Sequence, residues 1–132
     1  MSQDNVAIVD AAYRAWNRGD VDAAVERTHP GVEFAQDRGI PGAVSLSGRS
    51  DLRDWLGSFQ ETWESFRILP ERIEAVGERV LVVARIFARG RLSEAEVEQP
   101  VGHVLTLRDG EVVRWESYAD VAEAVEAVGL SE

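Results

Sequence analysis

The chain contains no cysteine and no lysine. Without cysteine there is no disulfide, no thiolate nucleophile and no Cys-based zinc site. Without lysine there is no Schiff-base amine and no Walker-type phosphate lysine. All 14 basic residues are arginine, which reads as a GC-rich, bacterial coding bias. No apolar run approaches the roughly 18–20 residues of a membrane span. The start, Met1-Ser2-Gln3-Asp4-Asn5, lacks the basic and apolar stretches of a secretory signal, so a cytoplasmic location and no membrane partner are expected. The 24 acidic residues leave a net charge of −10, and since phosphate backbones need a basic face, no nucleic-acid partner is expected. The two histidines, His29 and His103, are far apart and have no tight acidic cluster, so neither a metal site nor another cofactor is expected.

What is present fits one domain over residues 1–132. The 45% apolar content suffices for a modest core. Val6, Val9, Ala12, Tyr13 and Trp16 follow helical spacing over Val6 to Asn17. Gly19 suits a left-handed helix stop, and Asp20 can cap a second helix over Val21 to Thr28. His29-Pro30-Gly31 ends that helix, and Val32 to Phe34 read as a short strand. The turn-rich stretch from Asp37 to Ser50 is long for a loop and fits either a functional opening or a plain connection. A third helix is expected from about Asp51 to Glu64, with Leu52, Trp55, Leu56, Phe59 and Trp63 on its buried face. Four strands follow, over Phe66 to Val76, Arg79 to Arg89, Glu98 to Leu107 and Glu111 to Tyr118. Asp109-Gly110 joins the last two as a hairpin turn. Asp120 to Val128 is a final short helix, with Asp120 and Glu123 as its capping box. Strands clustered after helices indicate an α+β fold, with the helices burying their aromatic stripes against a curved, mostly antiparallel sheet.

Three segments carry a resemblance. They are Tyr13-Arg14-Ala15-Trp16-Asn17-Arg18-Gly19-Asp20-Val21-Asp22, Gly48-Arg49-Ser50-Asp51-Leu52-Arg53-Asp54-Trp55-Leu56, and the hairpin from Leu107 to Asp120. Together they resemble the SnoaL-like, or nuclear-transport-factor-2-like, superfamily. The resemblance implies a cone-shaped sheet around a pocket, and often a homodimer through the outer sheet face. It also implies several activities, because members include ketosteroid isomerases, polyketide cyclases and limonene-type epoxide hydrolases, while others only bind.

The chemical positions of those enzymes are mostly not kept. The isomerase base falls near Phe34 and its oxyanion aspartate on Gly102, while Tyr13 lies about one residue off the tyrosine position. Of the epoxide hydrolase set, Arg85 could be the arginine, but Phe87 and Ser117 replace the two aspartates. The cyclase histidine could be His103, with Ser117 at the carboxylate position and Glu116 beside it. A two-residue loop at Asp109-Gly110 would set His103 opposite Glu116; a three-residue loop would set it opposite Ser117. A His103–Glu116 pair inside an apolar pocket could act as a general base, and on the outer face it would be an ordinary ion pair. Asp37, near the expected pocket mouth, is a further acid/base candidate or a turn residue.

The expected ligand is a small apolar molecule. Its candidate wall is Tyr13, Trp16, Phe34, Trp55, Phe59, Trp63, Phe87 and Trp115, with Arg85, His103 and Ser117 as polar contacts. The row Val80, Val82, Ala84, Ile86 and Ala88 is either the cavity wall or a dimer face. A lyase, isomerase or cyclase using His103 with Glu116 or Asp37 is the second reading. A dimeric adaptor whose rings fill its own interior is the third.

Overall fold

A computed structural model describes residues 2–37, 39–40, 42–92 and 95–130. Helix α1 (Ser2–Asn17) and the single turn α2 (Val21–Ala24) lead into β1 (Thr28–Gln36). Strand β2 (Ser45–Ser47) and helix α3 (Arg49–Thr62) follow, then β3 (Trp63–Val76), β4 (Arg79–Gly90), β5 (Glu96–Arg108), β6 (Glu111–Tyr118) and α4 (Val121–Ala127). The six strands form one curved, unclosed sheet in the order β2-β1-β6-β5-β4-β3. All pairs are antiparallel except β1 with β6. The α+β expectation therefore holds.

The inner sheet face carries Val80, Val82, Ala84, Ile86 and Ala88 of β4 and Val101, Leu105 and Leu107 of β5. They pack with Val9 and Tyr13 of α1 and Leu52 of α3 in one core. The apolar row of β4 is thus the inner wall. On the outer face α4 lays Ala124, Val125 and Val128 over Leu81 and Val104. Beyond α4 that face is charged: Arg85 is bridged by Glu71 and Glu98, and Arg89 by Glu64 and Glu96.

Several boundaries differ from the sequence reading. The second helix stops at Ala24 because Thr28 is already paired with Val112 of β6. His29, Pro30 and Gly31 lie inside β1, where the register slips between Thr28 and Glu33; an irregular stretch accommodates a proline that lacks a ladder donor. Trp63 is the first residue of β3, with extended backbone at φ −109° and ψ 140°. The short strand β2 lies within the turn-rich stretch, of which Arg38 and Pro41 are outside the described residues.

The hairpin combines both registers considered from sequence. Asp109 and Gly110 take positive φ (51° and 78°), and Arg108 faces Glu111, as in a two-residue turn. Leu107 then faces Val112, but Thr106 faces Arg114, so Val113 is bulged. The extra residue turns Trp115 and Ser117 inward and Glu116 outward.

Candidate functional site

Tyr13 and Trp16, three residues apart on the buried stripe of α1, reach two different parts of the inner face. The Tyr13 hydroxyl is hydrogen-bonded to His103 Nδ1 on β5, and the two rings stack at 5.8 Å. Trp115 of β6 lies 6.1 Å from each of them. His103 is 6% exposed. Burial lowers its imidazolium pKa to about 4 and pushes the Tyr13 phenol well above its ordinary value. The Trp115 indole N–H lies near the phenol and opposes that rise, yet its geometry leaves Nε1 without a hydrogen-bond partner among the described residues. Both members of the Tyr13–His103 pair are therefore neutral at pH 7. His103 Nε2 has no hydrogen-bond partner among the described residues.

The His103–Glu116 dyad is not formed. Beyond the bulge, His103 faces Ser117, whereas Glu116 faces Val104 on the outer side of the sheet. There Glu116 accepts a hydrogen bond from the Tyr118 hydroxyl (3.1 Å) and lies 3.6 Å from Arg114. No carboxylate contacts His103 among the described residues, so nothing offsets its desolvation. A base whose conjugate acid has a pKa near 4 is weak at neutral pH.

Arg85 and Phe87 are likewise placed outside, since β4 presents its even-numbered residues inward. Arg85 finds the partners its apolar sequence neighbours require in Glu71 (3.7 Å) and Glu98 (3.8 Å). Phe87 is an exposed ring at 37%. Asp37 follows β1; its carboxylate accepts from Gly39 N (3.1 Å), and its own N–H donates to Ser117 O (2.8 Å). It is a turn residue at the end of the sheet. Asp120 caps α4 by accepting from Ala122 N (2.9 Å).

The remaining candidate rings form a continuous ladder across the inner face. Trp115 meets Phe34 (6.2 Å), Phe34 meets Trp55 (5.0 Å), and Trp55 meets Phe59 (4.9 Å). Phe59 meets Trp16 (6.0 Å) and Phe66 (5.0 Å), and Phe66 meets Trp63 (5.7 Å). The mostly edge-to-face and tilted arrangements suit ring quadrupoles and hold the rings rigidly.

At the Trp16 end the ladder opens onto a cleft of about 360 Å³. Its floor is Trp16, Phe59, Trp63 and Phe66. The last turn of α1, the last turns of α3 and the start of β3 enclose it. Three ties fix these walls. Asn17 donates to Ile68 O (2.7 Å) and accepts from Ile68 N (2.8 Å), clamping α1 to β3. Gln60 Nε2 donates to Gly19 O (2.7 Å), and Arg91 donates to Gln60 O (2.7 Å). The Trp16 indole N–H is buried and has no hydrogen-bond partner among the described residues. Other surface hollows, such as the one beside Asp37 and Asp120, lack such an aromatic floor. No group of residues able to hold a metal occurs among the described residues, and no helix there is long and apolar enough to cross a membrane.

Sequence reasoning marked Trp16, Phe59 and Trp63 but missed Phe66, Asn17 and Arg91. Asn17-Arg18-Gly19 carries a helix-stop signal, and that signal hides its second role as a cleft wall.

Comparison with families matches residues 9–115 to the SnoaL-like domain. The chain belongs to the SnoaL-like domain family. Comparison with curated protein sequences finds no match. Among solved structures, an NTF2-like protein of unknown function from Burkholderia pseudomallei K96243 superposes with a TM-score of 0.80 at 20% identity, covering 98% of this chain and 99% of that one. A candidate polyketide cyclase from Xanthomonas campestris pv. campestris gives 0.79 at 22% identity, covering 97% and 98%. TerC co-crystallised with polyporic acid gives 0.78 at 21% identity, covering 95% and 98%. Likeness at these identities carries the SnoaL-like fold and leaves the ligand to be argued from the site.

Proposed function

We propose that this SnoaL-like protein binds a compact, planar, apolar small molecule in the cleft floored by Trp16, Phe59, Trp63 and Phe66, without turning it over. The observation that carries this reading is the cleft itself: four rings, fixed by their neighbours, around about 360 Å³. That volume lies in the range of roughly 300–1,000 Å³ that small-molecule pockets occupy. Preformed walls cost little ordering entropy on binding. The acid-base reading loses its support because the proposed base is neutral, weak and separated from Glu116 by the thickness of the sheet. In the binding reading the Tyr13–His103 pair is a buried polar contact behind the ligand site.

The test is titration with 2-naphthalenemethanol, followed by tryptophan fluorescence and Tm. Saturable quenching at a single site and a rise in Tm are expected. Trp63→Ala, at a half-buried position, should weaken binding about tenfold, since a lost ring contact is worth roughly 1–1.5 kcal/mol. A folded protein that shows no saturation up to the solubility of the probe would remove the proposal.

A further inference from the structure

The sheet is unclosed and ends in two edge strands, β2 and β3. Strand β2 has three residues and is too short to recruit a neighbour. Strand β3 has 14, and an edge strand offers its unpaired N–H and C=O groups to any other chain. Its register shifts between Trp63 and Ser65 and again between Pro70 and Arg72, so the regular stretch of this edge runs from Ser65 to Pro70. That stretch, Ser65-Phe66-Arg67-Ile68-Leu69-Pro70, holds the β-prone, apolar residues that pair most readily. Beyond the second shift the exposed pair of Arg72 and Glu74 (2.9 Å) charges the edge, a common device against pairing.

Ladder groups alternate along a strand, so Phe66, Ile68 and Pro70 aim theirs to the same side. Ile68 shows that this side faces away from β4. Its N–H donates to Asn17 Oδ1 (2.8 Å), and its C=O accepts from Asn17 Nδ2 (2.7 Å). A carboxamide carries both an acceptor and a donor, so Asn17 offers Ile68 what a neighbouring strand would offer. Pro70 has no N–H to give. Of the three residues only Phe66 would still bring a donor to a partner strand, and one residue does not make a ladder.

We infer that Asn17 closes the β3 edge, and that without it this edge pairs with the same edge of a second copy of the chain. Antiparallel pairing about Ile68 sets Phe66 of one copy beside Pro70 of the other, and Arg67 beside Leu69. No like charges meet, and the contact is self-complementary, as a two-fold interface requires. The guard sits on the last residue of α1, so the end of that helix fixes both the cleft wall and the sheet edge.

The experiment follows mass by sedimentation from micromolar to millimolar protein, and amide exchange by NMR. Asn17→Ala is compared with Asp120→Ala, which removes the cap of α4 and weakens the fold without touching the edge. Asn17→Ala should gain, as concentration rises, a species of twice the wild-type mass; wild type and Asp120→Ala should not. In wild type the Ile68 amide should exchange roughly tenfold or more slowly than that of Phe66, which lacks the guard. In Asn17→Ala that protection should vanish in dilute protein and return in concentrated protein. An Asn17→Ala protein of unchanged mass at every concentration would overturn the inference. Equal self-association of Asp120→Ala would overturn it too, because general loss of stability would then be the cause. Wild-type Ile68 exchanging as fast as Phe66 would overturn it with no variant at all, which keeps the test decisive even where Asn17→Ala does not fold.

Discussion

Between pH 7 and pH 4 the wild-type protein is expected to lose about 3 kcal/mol more stability than a His103→Gln variant. The folded-state pKa of His103 is about 4, lowered by burial, against an ordinary value near 6.5. As pH falls below about 6.5 the unfolded chain takes up a proton that the folded chain refuses. Stability is therefore full above that pH, declines through the interval, and levels off below about 4. At 1.36 kcal/mol per unit the interval amounts to about 3 kcal/mol. Glutamine cannot titrate, so the difference between the two urea-unfolding curves isolates His103 from the carboxylates common to both proteins. Parallel stability profiles would show that His103 titrates normally in the folded state. The acid-base reading would then regain its base. The two outcomes thus separate a buried structural imidazole from a catalytic one.

The second large effect is expected at Gly102. It lies on the outer face of β5 against α4, and a Cβ built there would be 2.5 Å from the Ala124 Cβ and 3.5 Å from the Val121 Cα. No rotamer relieves the first contact, because both atoms are fixed to backbone. Gly102→Val must lift α4 from Leu81 and Val104, which it covers completely. Overpacking of this kind costs roughly 1–3 kcal/mol and sometimes more. We expect about 3 kcal/mol, read as a drop in Tm and in the urea midpoint. Gly102→Ala should cost less, and Ala124→Gly in the same chain should recover part of that loss by removing the opposing methyl. A Gly102→Val protein as stable as wild type would show that α4 does not sit where described. By resemblance to the isomerases this position would hold the oxyanion aspartate; here it serves helix packing on the far side of the sheet from Tyr13.

The parts legible in sequence were those set by local chemistry. The Val9, Tyr13 and Trp16 stripe of α1 is buried as its period required, Gly19 stops the helix at positive φ, and Asp109-Gly110 makes the two-residue turn. The faces of the last hairpin were not legible, because the bulge at Val113 has no glycine or proline to mark it. One unmarked residue decided that Ser117 rather than Glu116 meets His103. Arg85 was ambiguous for a related reason: strand alternation separates two faces but does not say which one the helices cover. Trp63 keeps the helical phase of Trp55, Leu56 and Phe59, so spacing alone extended α3 by two residues, Trp63 and Glu64, that belong to β3. The cleft was out of reach because it joins the end of α1, the end of α3 and the edge strand β3, which only the tertiary fold brings together.

The central claim is that a ligand occupies the Trp16 end of the ring ladder. Indole N–H signals of the ¹⁵N-labelled protein report on it directly, each assigned by a Trp→Phe variant. Titration with 2-naphthalenemethanol should move the Trp16 and Trp63 signals most. It should leave that of Trp115 in place, since Trp115 packs against Tyr13, Phe34 and His103 away from the cleft. Four unmoved signals, or a largest shift at Trp115, would contradict the account.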